Sequence, residues 1–132
     1  MVILHSNLRG YNSKKESLLG VVKDIDPDIC ILNETGLKGR NKVNIPGYIT
    51  FSRNREVKSM GGISTSIKEK FKNFAANVGQ GVGDDEFIIT RHSQLCVPIN
   101  VINWYGEQES RSCNDEVESR WNRIVNELEV IE

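Results

Sequence analysis

Residues 28–35 read DICILNET: Ile29, Cys30, Ile31 and Leu32 run without a polar break into Asn33 and Glu34. Four apolar residues are too few for a helix. The missing alternation marks a strand buried on both faces, in a parallel or central sheet position. A carboxylate at the carboxyl end of such a strand lies at the rim, where open α/β sheets place their sites. On position alone, the alternative is a side chain that simply leaves the core and is solvated.

Working outward, Met1 to Ser6 carries VIL and reads as a first strand. SKKE at 13–16 has the form of a capping box, with Ser13 as N-cap and Glu16 at N3. Leu18, Leu19, Val22 and Ile25 then recur at helical spacing, and Pro27 closes the helix. Strand, helix and buried strand make a crossover unit with parallel neighbours.

The middle changes character. YITFSR (48–53), GISTSI (62–67), FAANV (74–78), EFIITR (86–91) and VPINVINWY (97–105) are short β-rich runs at hairpin-like spacing. Alternation puts Ile63, Thr65 and Ile67, and likewise Val97, Ile99 and Val101, on one face, as in antiparallel strands with one side on a core. The end is an amphipathic helix with the stripe Val117, Trp121, Ile124, Val125, Leu128 and Ile131, capped by Asn114 or Asp115. A further strand is expected to follow such a helix.

At 132 residues, with 38% hydrophobic and 27% charged content, the chain is of a size for one globular domain. It contains no apolar run long enough to span a bilayer and no signal-like N-terminal stretch, so no membrane partner is expected. Three cysteines without metal spacing read as reduced thiols of an intracellular protein. His5 and His92 are too few for a zinc site unless carboxylates complete it. The net charge of −1 hides an asymmetry: from Leu37 to Lys72 there are nine Lys or Arg against two acids. A basic middle suits a phosphate backbone, although charge counting alone favours a solvated surface.

Three strand ends carry polar groups: HSN ends at Asn7, LNE ends at Glu34, and NWYGEQ carries Tyr105. Parallel pairing of the crossover strands would set Asn7 beside Glu34. A carboxylate with an amide oxygen suits Mg²⁺, which takes few protein ligands and keeps several waters. Two such ligands make an incomplete site. The alternative is that Asn7 caps a turn and Glu34 is solvated.

ILHSNLRG, DPDICILNETGL, RNREVKSMGGISTSI and INVINWYGEQESR, followed by a Trp-containing amphipathic helix, occur in an order that resembles the endonuclease/exonuclease/phosphatase superfamily. The likeness is greatest to the apurinic-like endonuclease domain of non-LTR (LINE-type) retrotransposons. It implies the N-terminal half of a two-sheet α/β sandwich (DNase I-like), a mixed sheet with flanking helices, as a single partial domain over 1–132. By position it implies Glu34 as principal Mg²⁺ (or Mn²⁺) ligand, Asn7 supporting the metal at the scissile phosphate, and Tyr105 bonding that phosphate. Arg53 and Arg55, with Lys58 of the basic middle, are candidates for DNA contact, and Gln108 falls where many members carry an asparagine near the site. GGI at 61–63 matches a glycine pair opening an internal strand. Asn33 stands where the family usually has glutamine, and Glu107 where it has proline.

The family's Asp-x-Asn motif, a further acidic residue and a closing Ser-Asp-His have no counterpart in these residues. The implied function is therefore the N-terminal part of a metal-dependent DNA endonuclease that nicks target DNA for retrotransposition, inactive as this fragment and acting in the nucleus. The alternatives are a phosphomonoesterase or phosphodiesterase of the same fold with a non-DNA substrate, or a non-catalytic α/β binding module. A missing partner sheet would also leave Ile63, Ile67, Val97, Ile99 and Val101 uncovered and drive self-association through that face.

Overall fold

The computed structural model describes residues 1–55, 61–82, 86–94, 96–105, 118 and 121–127. Two sheets form from seven strands: β1 (Ile3–Asn7), β2 (Ile29–Asn33), β3 (Tyr48–Arg53), β4 (Ile63–Lys68), β5 (Ala75–Gln80), β6 (Glu86–His92) and β7 (Ile99–Tyr105). The first sheet runs in the order β1-β2-β4-β3 and the second β5-β6-β7. β1 and β2 pair in parallel across the helix α1 (Tyr11–Ile25), and every other pairing is antiparallel. The mixed α/β two-sheet arrangement is the one expected from the sequence.

β2 is buried on both faces because it lies inside the first sheet. Cys30 and Leu32 meet Leu18 and Val22 of α1, together with Val43 and Ile45 of the following loop. Ile29 and Asn33 point the other way. Their register partners Ile67 and Ile63 extend the same face across β4. The second sheet answers with Ile88, Thr90 and His92 of β6 and Ile99, Val101 and Asn103 of β7, set opposite one another by their register. Its outer face carries Phe87, Ile89, Ile102 and Trp104, on which Ile124 of the helical residues 121–127 is buried. Trp121 lies 5.6 Å from Trp104 between ring centroids. Each fully buried aliphatic side chain of these layers contributes roughly 1.5–3 kcal/mol.

This packing corrects three expectations. Ile63 and Ile67 are fully buried (0% exposed) under the second sheet, so the face expected to drive self-association is covered from within the chain. Val97 precedes β7 and is 71% exposed, so it takes no part in that face. β4 is not one-sided: Ser64 and Ser66 are as buried as Ile63, because β4 is interior to its sheet and Ser66 bonds Thr50 across β3.

A fourth difference is at the start of α1. Ser13 does not cap it; the helix begins at Tyr11, and Ser13 Oγ donates to Gly10 O at 3.2 Å. The capping acceptors come from the end of β2. Gly10 N donates to Glu34 O at 2.9 Å and Tyr11 N to Thr35 O at 2.7 Å. A strand-end loop has taken the place of a local side chain. At the other end Asp26 adopts φ 52°, and its N–H closes on Val22 O before Pro27. The stripe residues Val117, Leu128 and Ile131, and the caps Asn114 and Asp115, lie outside the described residues.

His92 is fully buried, with Nε2 2.8 Å from Thr90 Oγ1. Burial lowers its pKa from the ordinary imidazole value of 6.5. The folded chain therefore takes up this proton less readily than the unfolded one. The stability tied to it is complete above the unfolded pKa and is lost as pH falls below it. Urea midpoints should fall between about pH 7.5 and about pH 5, and His92→Gln should shrink that fall. An undiminished fall in the variant would assign the acid sensitivity to other groups.

Candidate active site

Glu34 follows the last residue of β2 with φ 52°, a left-handed backbone that a non-glycine residue seldom adopts. Such strain persists only where the surroundings over-determine it. Here four backbone bonds do so. Besides the two bonds to the start of α1, Thr35 N donates to Gly62 O at 3.1 Å and Gly36 N to Gly61 O at 2.8 Å. The glycine pair is required for this approach. A Cβ on Gly62, which has φ +84°, would lie 2.6 Å from Thr35 Oγ1.

Held this way, the half-buried Glu34 presents its carboxylate at the rim, and Tyr105 Oη donates to Glu34 Oε1 at 2.5 Å. The Tyr105 phenol is pushed up to about 12, first by burial and then by the hydrogen bond and charge of Glu34. It stays a proton donor throughout the neutral range. The Tyr105 ring also lies under a cation, with Arg55 Cζ 5.9 Å from its centroid.

Asn7 ends β1 opposite Asn33, one residue short of Glu34, and its Oδ1 accepts from Arg9 N at 3.3 Å. Arg53 falls at the same end of the first sheet, since its register partner Ile63 pairs with Asn33. Arg55 is placed differently from the expected outward contact. It is 18% exposed and grips Glu86, with Nη2 2.6 Å from Oε2 and Nε 3.0 Å from Oε1. Lys58 and Gln108 lie outside the described residues. The basic middle is not one stripe: Lys68 sits at the opposite end of β4 from Ile63 and bridges Asp26 and Asp28 at 3.0 and 3.4 Å.

Two residues that sequence reasoning passed over shape the site from behind. Asn103 is buried between the sheets, where its Oδ1 accepts from Asn33 Nδ2 at 2.8 Å and its Nδ2 donates to Ser64 O at 2.9 Å. Asn33 Oδ1 in turn meets His5 Nε2 at 2.7 Å. Glu86, 4% exposed, accepts from Gly62 N at 3.0 Å as well as from Arg55. Both had a signal in the sequence, because each is a polar residue at an inward position of a strand.

The donor set suits a hard divalent cation in kind. Glu34 supplies a carboxylate and Asn7 an amide oxygen, the ligand types Mg²⁺ prefers alongside several waters. It is short in number: among the described residues, no group of three or more His, Cys, Asp or Glu could hold a metal.

In fold the chain is similar to solved structures of DNA-acting nucleases, an α/β two-sheet arrangement of DNase I type. The chain superposes on the AP endonuclease LMAP from Leishmania major with a TM-score of 0.70 at 18% identity, covering 96% of this chain and 46% of that one. Against the APE2 catalytic domain of Xenopus laevis the values are 0.68 and 22%, with 97% and 52% covered. Against the endonuclease domain of TRAS1, a telomere-specific non-LTR retrotransposon, they are 0.66 and 12%, with 92% and 52% covered. This chain thus spans about half the length of these similar structures. No protein-family model matches it, and no curated protein does.

Proposed function

We propose that this chain is the N-terminal part of a divalent-metal-dependent DNA endonuclease of the retrotransposon type, working in the nucleus. The observation that carries this reading is the rim carboxylate of Glu34, locked in a left-handed backbone and bonded to Tyr105 at the sheet edge that also bears Asn7 and Arg53. The likeness in fold to AP endonucleases and to a retrotransposon endonuclease domain supports it.

Glu34 and Asn7 would hold Mg²⁺ or Mn²⁺. When bound, the metal would neutralise charge building on a scissile phosphate and its leaving oxygen. The protonated Tyr105 hydroxyl is placed to donate to Glu34 or to a phosphate oxygen brought beside it. Arg53 would supply a positive charge for the DNA backbone. No described side chain near Glu34 serves as a base for water. Glu86 is engaged by Arg55, His5 by Asn33, and His92 sits at the far end of β6 from Glu86. The groups that activate the attacking water would come from elsewhere in the complete domain.

Mn²⁺ titration followed by NMR should broaden the signals of Glu34, Thr35 and Asn7 first, and Glu34→Gln should remove the effect. The same chain should leave supercoiled plasmid intact in Mg²⁺. Broadening centred on Asp26 and Asp28 would overturn the metal seat. Robust nicking by the chain alone would overturn the division of labour.

A further inference from the structure

We propose that the ion pair of Arg55 and Glu86 is a positioning device that sets the Glu34 carboxylate, acting through Gly61–Gly62 on one side and Tyr105 on the other. The inference rests on the reading of Glu34 as a metal ligand. Glu86 Oε1 accepts from Gly62 N at 3.0 Å, and the carbonyls of Gly62 and Gly61 accept the amides of Thr35 and Gly36. One carboxylate thereby fixes the two residues after Glu34. On the other side, Glu86 is the register partner of Tyr105, whose ring lies under Arg55 and whose hydroxyl bonds Glu34.

Space has been cleared for the pair. A Cβ on Gly61 would lie 2.5 Å from Arg55 Nε and 2.6 Å from Cζ, so any side chain there would push the guanidinium off its present position. Stability alone gives little reason to keep a buried ion pair, because apolar replacements of similar volume are often neutral or stabilising. Its value lies in the direction it imposes on both routes to Glu34.

The test uses the whole chain with Arg55→Lys and Glu86→Gln, and the apolar double replacement Arg55→Met with Glu86→Leu, which retains packing if a single variant fails to fold. Two readouts are taken: hydrogen exchange of the Thr35 and Gly36 amides against those of Cys30 and Leu32, and Mn²⁺ broadening at Glu34. Exchange at Thr35 and Gly36 should rise at least about 10-fold more than at Cys30 and Leu32, and Mn²⁺ affinity should fall about 10-fold, as for supporting shells of metal sites. Exchange that rises equally at all four amides, with Mn²⁺ affinity unchanged, would make the pair merely structural and overturn the inference. If the unaltered chain shows no Mn²⁺ effect at Glu34, the metal reading fails by itself. The exchange comparison then still decides whether the pair positions the loop.

Discussion

Replacing Asn103 by leucine should cost the chain about 2–4 kcal/mol of stability, a midpoint lowered by roughly 10 °C. The two side chains are close in volume, so the effect is not one of packing. Asn103, on β7 of the second sheet, lies 1% exposed between the sheets, and its amide satisfies groups on two strands of the first. Its oxygen accepts from Asn33, and its nitrogen donates to Ser64 O and, at 3.2 Å, to Thr65 Oγ1. Leucine would strand the Asn33 amide and the Ser64 carbonyl in a dry layer, at about 1–3 kcal/mol for each unsatisfied group. Adding Asn33→Leu should recover part of the loss, because the orphaned amide disappears with it. Urea unfolding of the two single variants and the double variant measures this directly. A loss below about 0.5 kcal/mol for Asn103→Leu, within the range of ordinary surface changes, would mean that the amide does not join the sheets.

Gly62→Ala should be comparably damaging, by about 2–4 kcal/mol, and should also abolish Mn²⁺ binding at Glu34. Two penalties add. The left-handed φ of +84° disfavours any side chain, and the new Cβ would drive Thr35 Oγ1 back from 2.6 Å. Thr35 is the residue directly after Glu34, so its displacement moves the carboxylate. Gly20→Ala is the control. Gly20 lies within α1, and a Cβ there meets nothing within 4 Å, so alanine should stabilise by about 0.5–1 kcal/mol. If Gly62→Ala kept both stability and Mn²⁺ binding, the close approach of the glycine pair to the Glu34 loop would have no functional weight.

The burial of Ile29–Leu32, the crossover through α1 and the antiparallel middle were all legible, because periodicity and turn residues are local signals. Glu34 was legible for the same reason: an apolar run that ends on a carboxylate is visible without its neighbours. What sequence could not show is which faces meet. The pairing of Arg55 with Glu86 spans 31 residues, and that of Asn33 with Asn103 spans 70. Nothing in either segment alone names its partner. Arg55 read as a surface cation because a basic cluster says nothing of a buried acid elsewhere. The capping box at Ser13 failed for a related reason: carbonyls from a distant strand end had already claimed the helix's first amides. The covered sheet was misjudged because Ile63 and Ile67 were expected to share with Ile99 and Val101 one face needing a partner from outside, whereas β6 and β7 are themselves the partner of β2 and β4.

The backbone of residues 34–36 is tied to Gly10, Tyr11, Gly61 and Gly62, and the Glu34 side chain to Tyr105, 71 residues away. None of these segments neighbours another in the chain, so the rim geometry has no local precursor. An isolated DICILNET peptide has the carboxylate but not its conformation. On the folding pathway, closing such long loops is entropically slow, and the left-handed turn gains these bonds only once they close. On the proposed reading, cation affinity at Glu34 would be a property acquired last, and its appearance would report that all of these segments have docked.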